Sequence, residues 1–235
     1  MGFDKKVDSS VQRIGQVIDY LRENGDAFTS TEKSVILSNL TNDGTFFGIP
    51  NICLQIYDEL GVLPDSINSY KAFSEFVDEQ FSIKDKHVVE IGGGNIPRLA
   101  KRISSMQDTG TIKVFDPNLY IKEGDETPKL TLVKRRFNPL INVSKADLLI
   151  GLLPCGASST IIKSAIRYNK DFMVALCDSC NYFEYFDSYE EDMDWPNNFI
   201  EETKQIVEEN NLGKVKVKYI KEVGENYPIL YNVRG

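Results

Sequence analysis

Histidine is almost missing from this chain: His87 is the only one among 235 residues. Without a second imidazole, a Ser–His–Asp relay would have to use His87 itself. That residue opens an apolar strand, at the sheet end away from where ligands bind, and is read as structural. Long apolar runs are missing too. None approaches the roughly 20 residues that cross a bilayer, and the opening Met1-Gly-Phe-Asp-Lys-Lys6 holds no apolar signal core, so a cytoplasmic location is expected. Positive charge is in deficit, with 27 Lys and Arg against 35 Asp and Glu and a formal net charge of −8. Duplex nucleic acid calls for a basic face, so it is an unfavoured partner. Cysteine is sparse, at four residues, which in a chain of this length excludes a disulfide scaffold and points to reduced thiols.

What remains is an ordinary globular composition, 41% hydrophobic and 26% charged. Residues 1 to 80 carry helical spacing only. Val11, Ile14, Val17, Ile18 and Leu21 make one stripe, and Thr29-x-x-Glu32 fits a capping box ahead of Val35, Ile36 and Leu40. Pro50 is positioned to open a third helix, and Asp65 or Ser66 to cap a fourth bearing Ile67, Tyr70, Phe73 and Val77. This region is expected to be a helical appendage that caps the pocket and selects the substrate.

After Lys86 the period changes. Strands are expected at 87–91, 111–115, 130–137, 147–153, 172–177, 214–220 and 228–233, with helices at 95–106, 161–168 and 196–210. The early strands are continuously apolar and alternate with helices, the pattern of a buried parallel sheet covered on both faces. No helix separates the last two, so they should pair antiparallel.

The chemistry concentrates in Val88-Val-Glu-Ile-Gly-Gly-Gly-Asn95, a strand running into glycines and then a helix. Glycine permits a tight turn and close approach of a ligand to the backbone, and the helix start offers unpaired N–H groups. Asp116 closes the next strand, where a carboxylate can accept both hydroxyl protons of a ribose. Three readings stand: a plain tight turn; a nicotinamide or flavin fingerprint, in which Gly92 and Gly94 fit but Pro97 occupies the third glycine position; or an acid-x-Gly-x-Gly turn, which Glu90-Ile-Gly92-Gly93-Gly94 satisfies.

On these residues the chain resembles the class I S-adenosylmethionine-dependent methyltransferase superfamily, over about residues 85 to 235. The resemblance implies an α/β fold: a Rossmann-like seven-stranded sheet, its last strand antiparallel, with helices on both faces, forming a core of residues 81–235. It also implies S-adenosylmethionine as cofactor. Glu90, Gly92, Gly93 and Gly94 would cradle its methionine part, Asp116 would hold the ribose, and Pro117, Asn118, Phe137 and Asn138 would flank the adenine. Asn138 stands where an Asp is common, and Ile96 where a third glycine is usual.

The fourth strand leads into Leu153-Pro-Cys-Gly-Ala-Ser158. Pro154, Cys155 and Ser158 are therefore acceptor-side candidates, together with Tyr182. Pro154-Cys155 is also similar to the cytosine-C5 methyltransferase nucleophile, without the rest of that pattern; as a bland alternative, Cys155 is a small buried residue. Cys155, Cys177 and Cys180 together offer three thiolates for zinc, but the second Cys-x-x-Cys or paired His of a firm site is missing, so no metal is expected. The run from Tyr182 to Trp195 mixes Tyr, Phe and Trp with Asp and Glu, as either a surface segment packed against the appendage or a wall or lid over an apolar or cationic acceptor. Lys134-Arg-Arg136 and the Lys214, Lys216, Lys218 row read as solvated strand faces. The function expected is methyl transfer to a small molecule, with a nucleic-acid methyltransferase or a non-catalytic cofactor-binding protein as rivals.

Overall fold

A computed structural model describes residues 15–24, 27–39, 53, 56, 60, 68–121, 123–177, 195–224 and 226–234. The chain divides into two compact units, Met1–Ile67 and Asn68–Gly235, with the division earlier in the sequence than the expected boundary at residue 80.

In the first unit, a helix covers residues 15–23 (α1) and another covers Ser30–Asn39 (α2). The capping box ahead of α2 forms as its sequence implies. Glu32 Oε2 accepts from the Thr29 backbone N–H and hydroxyl, both at 2.7 Å, and the Glu32 N–H donates to Thr29 Oγ1 at 3.2 Å. Orphan donors of the first turn are thereby satisfied. The expected third helix, from Pro50, lies outside the described residues except at 53, 56 and 60.

The second unit opens with α3 (Asn68–Phe81) and continues through β1 (His87–Ile91), α4 (Arg98–Ser105), β2 (Thr111–Phe115), β3 (Leu130–Val133), β4 (Leu148–Leu152), α5 (Ser158–Tyr168), β5 (Asp171–Ala175), α6 (Trp195–Glu209), β6 (Lys214–Lys218) and β7 (Ile229–Val233). The strands make one seven-stranded sheet in the order β3-β2-β1-β4-β5-β7-β6. Strands β1 to β5 pair parallel, and β7 runs antiparallel to both β5 and β6.

Side chains alternate between the sheet's faces with period two. Val88, Val114, Ile150, Met173 and Tyr231 join Phe73 and Val77 of α3 and Leu99 and Ile103 of α4 in one core. Val89, Ile91, Leu149, Val174 and Leu230 join Ile161 and Ala165 of α5 and Phe199 and Val207 of α6 in the other. Because both faces are covered, β1, β4 and β5 bury nearly every position and read as mainly apolar runs, while β2 keeps Lys113 exposed. At the edge, β6 keeps Lys214, Lys216 and Lys218 exposed, a charged border that discourages pairing with another chain.

Several element ends depart from the sequence expectation: α5 starts three residues earlier, at Ser158, and β5 and β6 each end two residues earlier, at Ala175 and Lys218. Two further departures have a visible backbone cause. Strand β3 stops at Val133 instead of reaching Phe137, since the Arg135 N–H turns back to the Val133 carbonyl at 2.8 Å. Lys134 to Arg136 are thus exposed loop residues, not a strand face. Helix α4 starts at Arg98, because Pro97 sits at its N-cap with ψ 68° and the Asn95 carbonyl accepts from the Tyr120 N–H at 2.9 Å. That bond ties the segment after the glycines to the β2 loop and keeps it out of the helix.

Candidate ligand site at the glycine turn

Parallel sheets present their ligand crevices at the carboxyl ends of the strands, and here the glycines fill that place on β1. The Gly92 N–H donates to the Phe115 carbonyl at 2.9 Å, the last bond between β1 and β2. The chain then turns through φ values of +80° at Gly92 and +71° at Gly94, a left-handed region that side chains with a Cβ disfavour. The turn is crowded on one side. A Cβ on Gly92 would lie 2.8 Å from Pro154 Cβ, and one on Gly93 would lie 2.6 Å from Val114 Cγ1. A Cβ on Gly94 would meet nothing within 4 Å. Gly94 therefore borders open space, while its two neighbours are packed against β2 and the end of β4.

Asp116 stands beside that opening. Its carboxylate is 8% exposed; Oδ2 accepts from the Gly94 N–H at 3.0 Å and Oδ1 from the Asn118 N–H at 2.7 Å. Two backbone donors fix its orientation, one on each oxygen. A carboxylate offers about four lone-pair sites, so both oxygens retain capacity for further donors, as a vicinal diol would supply.

Glu90 lies beneath the turn, 3% exposed. Burial, above all, pushes its carboxyl up to about 8; the Ala100 backbone N–H pulls it down, and Asp116 adds to the rise. Ala100 belongs to the first turn of α4, whose N-cap has no side-chain hydrogen bond, so Glu90 serves that helix start from the neighbouring strand. Its Oε2 is buried with no hydrogen-bond partner among the described residues. Arg98 and Tyr70 share this surrounding: the Tyr70 phenol is pushed up chiefly by burial, with Arg98 opposing and Glu90 reinforcing the shift. Helical spacing places Tyr70 on an apolar stripe and does not single out Arg98. The available signal was an arginine four residues past Gly94, at the start of a helix that follows a glycine turn.

The remaining candidates fall into three groups. Pro154 is buried and abuts Gly92, following Leu153, whose φ of +50° is strained for a branched residue. Ser158 is buried as the first residue of α5. Phe137 is buried with its ring 5.2 Å from that of Phe115, which places it next to the β2 end. Pro117, Asn118 and Asn138 are exposed in the loops after β2 and β3, and Asn138 Oδ1 accepts from the Leu140 N–H at 2.9 Å. The backbone of Cys155 lies in a short 3-10 turn, Cys155–Ala157. Cys177 is buried and forms no disulfide. Cys180, Tyr182 and most of the aromatic and acidic run after it lie outside the described residues. Among the described residues no cluster of three His, Cys, Asp or Glu gathers in a way that would hold a metal ion, and no helix is long and apolar enough to cross a membrane. His87 sits at the opposite sheet end, its N–H donating to Asp147 Oδ2 at 2.8 Å and its Nδ1 2.7 Å from Thr111 Oγ1.

No protein-family model and no curated protein sequence matches the chain. Solved structures do. A candidate S-adenosyl-L-methionine-dependent methyltransferase of Methanococcus maripaludis aligns with a TM-score of 0.50 at 14% identity, over 83% of this chain and 97% of that one. The magnesium protoporphyrin IX methyltransferase of Synechocystis, solved with bound S-adenosylhomocysteine, aligns at 0.45 and 14% identity, over 89% and 97%. The 1,6-didemethyltoxoflavin-N1-methyltransferase of Burkholderia thailandensis, solved with 1,6-didemethyltoxoflavin and S-adenosylhomocysteine, aligns at 0.42 and 9%, over 69% and 76%. The sheet order and the reversed last strand are those of the class I S-adenosylmethionine-dependent methyltransferase fold, and this chain has that fold.

Proposed function

We propose that the protein is an S-adenosylmethionine-dependent methyltransferase acting on a small-molecule acceptor. The observation that carries this reading is the pairing of Asp116 with Gly94: a buried carboxylate oriented by two backbone N–H groups, beside a left-handed glycine that borders open space. Asp116 is suited to a ribose diol, the glycine turn to close backbone contact with the methionine part, and Phe137 with the exposed Pro117, Asn118 and Asn138 to the adenine. The residues present fit the cofactor, because free lone pairs and a cradle that a Cβ would enter stand side by side. When bound, S-adenosylmethionine supplies an electrophilic methyl carbon on a positively charged sulfur.

Transfer from a sulfonium disperses charge, so holding the acceptor in line and excluding water contribute most of the rate. A general base is needed only where the acceptor must lose a proton. Pro154, Cys155 and Ser158 follow the β4 carboxyl end and are assigned to the acceptor side, with Tyr182. The acidic balance of the chain favours a small molecule over nucleic acid.

Calorimetry tests the reading. S-Adenosylhomocysteine is expected to bind while NAD does not, and Asp116→Ala is expected to weaken that binding at least about tenfold, the equivalent of ~1.4 kcal/mol. Binding of NAD in preference, or an Asp116→Ala affinity equal to wild type, would overturn it. A tritiated-methyl assay on fractionated metabolites and on RNA then separates the two acceptor classes. Cofactor binding with no transfer to any fraction would instead favour the non-catalytic rival.

A further inference from the structure

Glu90 is an acid placed where a negative charge finds little support. It is 3% exposed, and its Oε2 is buried without a hydrogen-bond partner among the described residues. One backbone donor, the Ala100 N–H, favours the charged form. Another acid, Asp116, approaches from the end of β2 and opposes it. From α4 the charged neighbour is Arg98, and from α3 the titratable neighbour is Tyr70, both linked electrostatically to the same surrounding; β4, the other strand beside β1, carries no ionisable side chain. The outcome is a carboxyl pushed up to about 8, mostly protonated at neutral pH.

A cation entering the crevice changes that balance. A unit positive charge a few ångströms from a buried carboxyl favours its ionised form strongly, because little water intervenes. S-Adenosylmethionine and S-adenosylhomocysteine share nucleoside, ammonium and carboxylate groups and differ by one methyl and one positive charge at sulfur. Resting on the methyltransferase reading, we propose that Glu90 lets this pocket distinguish the cationic sulfonium from the neutral thioether: its carboxyl gives a proton to solvent as the cation enters and takes one back once the charge is gone.

The sign follows from linkage. A ligand that prefers the deprotonated form binds more tightly as pH rises toward the free protein's pKa, and gains nothing further above it. Affinity for the sulfonium is therefore expected to climb from pH 6 to about 8 and then level, while that for the thioether stays flat. Glu90 is a specificity residue in this scheme; it need not touch the sulfur.

The experiment is isothermal titration calorimetry of the full chain with each ligand from pH 6 to 9. The expected result is that the thioether-to-sulfonium ratio of Kd rises about five- to tenfold over this range and stays constant in Glu90→Gln. Comparison with that variant removes the ligands' own ammonium titration. A second measurement does not depend on the variant folding. At about pH 6.5, where the ligand ammonium groups remain charged, titrations in phosphate and Tris count the protons released, and the sulfonium is expected to release more than the thioether. Equal proton release, a ratio that ignores pH, or a pH-dependent ratio that persists in Glu90→Gln overturns the inference while leaving the methyltransferase reading intact. Failure of both ligands to bind at every pH overturns the reading itself, and the inference with it.

Discussion

At the scale of single residues, the two acids of the site have opposite supports, and this difference yields a stability prediction. Asp116 is held by two N–H donors, whereas Glu90 has one bare oxygen and a carboxyl raised to about 8. In the unfolded chain a glutamate titrates near 4.3. Between that value and about 8 the folded state holds a proton that the unfolded state has released, so stability falls as pH rises through this window. Glu90→Gln keeps the shape and removes the titration. Urea unfolding should show wild type losing stability from pH 5 to 8, on the order of a few kcal/mol at most, with a flatter profile in the variant. Parallel profiles would show that Glu90 does not hold this proton. The positions of both acids were legible in the sequence, since the strand, the glycines and the strand-ending acid stand in order. The protonation of Glu90 was not, because it depends on burial under α4 and α3, and linear spacing carries no information about which helix covers which strand.

At the scale of elements, the three glycines make different demands. Gly93 has no room: an added Cβ would lie 2.6 Å from Val114 Cγ1. Gly93→Ala should therefore destabilise the fold by about 1–3 kcal/mol through overpacking. Gly94 has room but a φ of +71°, so Gly94→Ala should cost about 1–2 kcal/mol of backbone strain and place a methyl group where the ligand would lie. Thermal melts with and without S-adenosylhomocysteine separate the two, the ligand-dependent rise being retained in Gly93→Ala and largely lost in Gly94→Ala. A reversal of that order would mean the opening at Gly94 is not the binding surface. At the far side of the sheet, the fully buried Asn232 accepts from the Phe172 N–H at 2.7 Å and donates to the Leu212 carbonyl and Asp171, each at 3.0 Å. Asn232→Ala strands a buried donor and acceptor and should lower the urea-unfolding free energy by about 2–4 kcal/mol; a change within experimental error would mean that water replaces those bonds. Strands β1 and β2 begin and end where their apolar patterns do. Helix α4 and strand β3 are shorter than their patterns imply because a backbone bond to a distant loop, in one case, and a local turn, in the other, override an otherwise continuous pattern.

At the scale of the whole molecule, alternation of strands and helices identified the sheet's class, but periodicity alone gave no strand order; the position of β7 between β5 and β6 was available only through resemblance to a known superfamily. Domain division was harder still. Helix α3 carries the same kind of apolar stripe as the helices before it, yet it belongs to the compact unit that begins at Asn68, because Phe73, Phe76 and Val77 complete the core on one sheet face. Both cores and every described site residue lie beyond Ile67. A chain of residues 68–235 should thus unfold cooperatively and keep the S-adenosylhomocysteine-dependent rise in melting temperature, about 2.7 kcal/mol of stabilisation when ligand stands at 100 times its Kd. A chain starting at residue 82 would lack α3 and leave Met173 and Tyr231 uncovered on that face; it should bind the hydrophobic dye ANS and melt without a sharp transition. Scanning calorimetry of the two fragments decides the matter. If the fragment starting at residue 82 melts as sharply as the longer one, α3 belongs with the appendage, and Tyr70 has no part in setting the charge of Glu90.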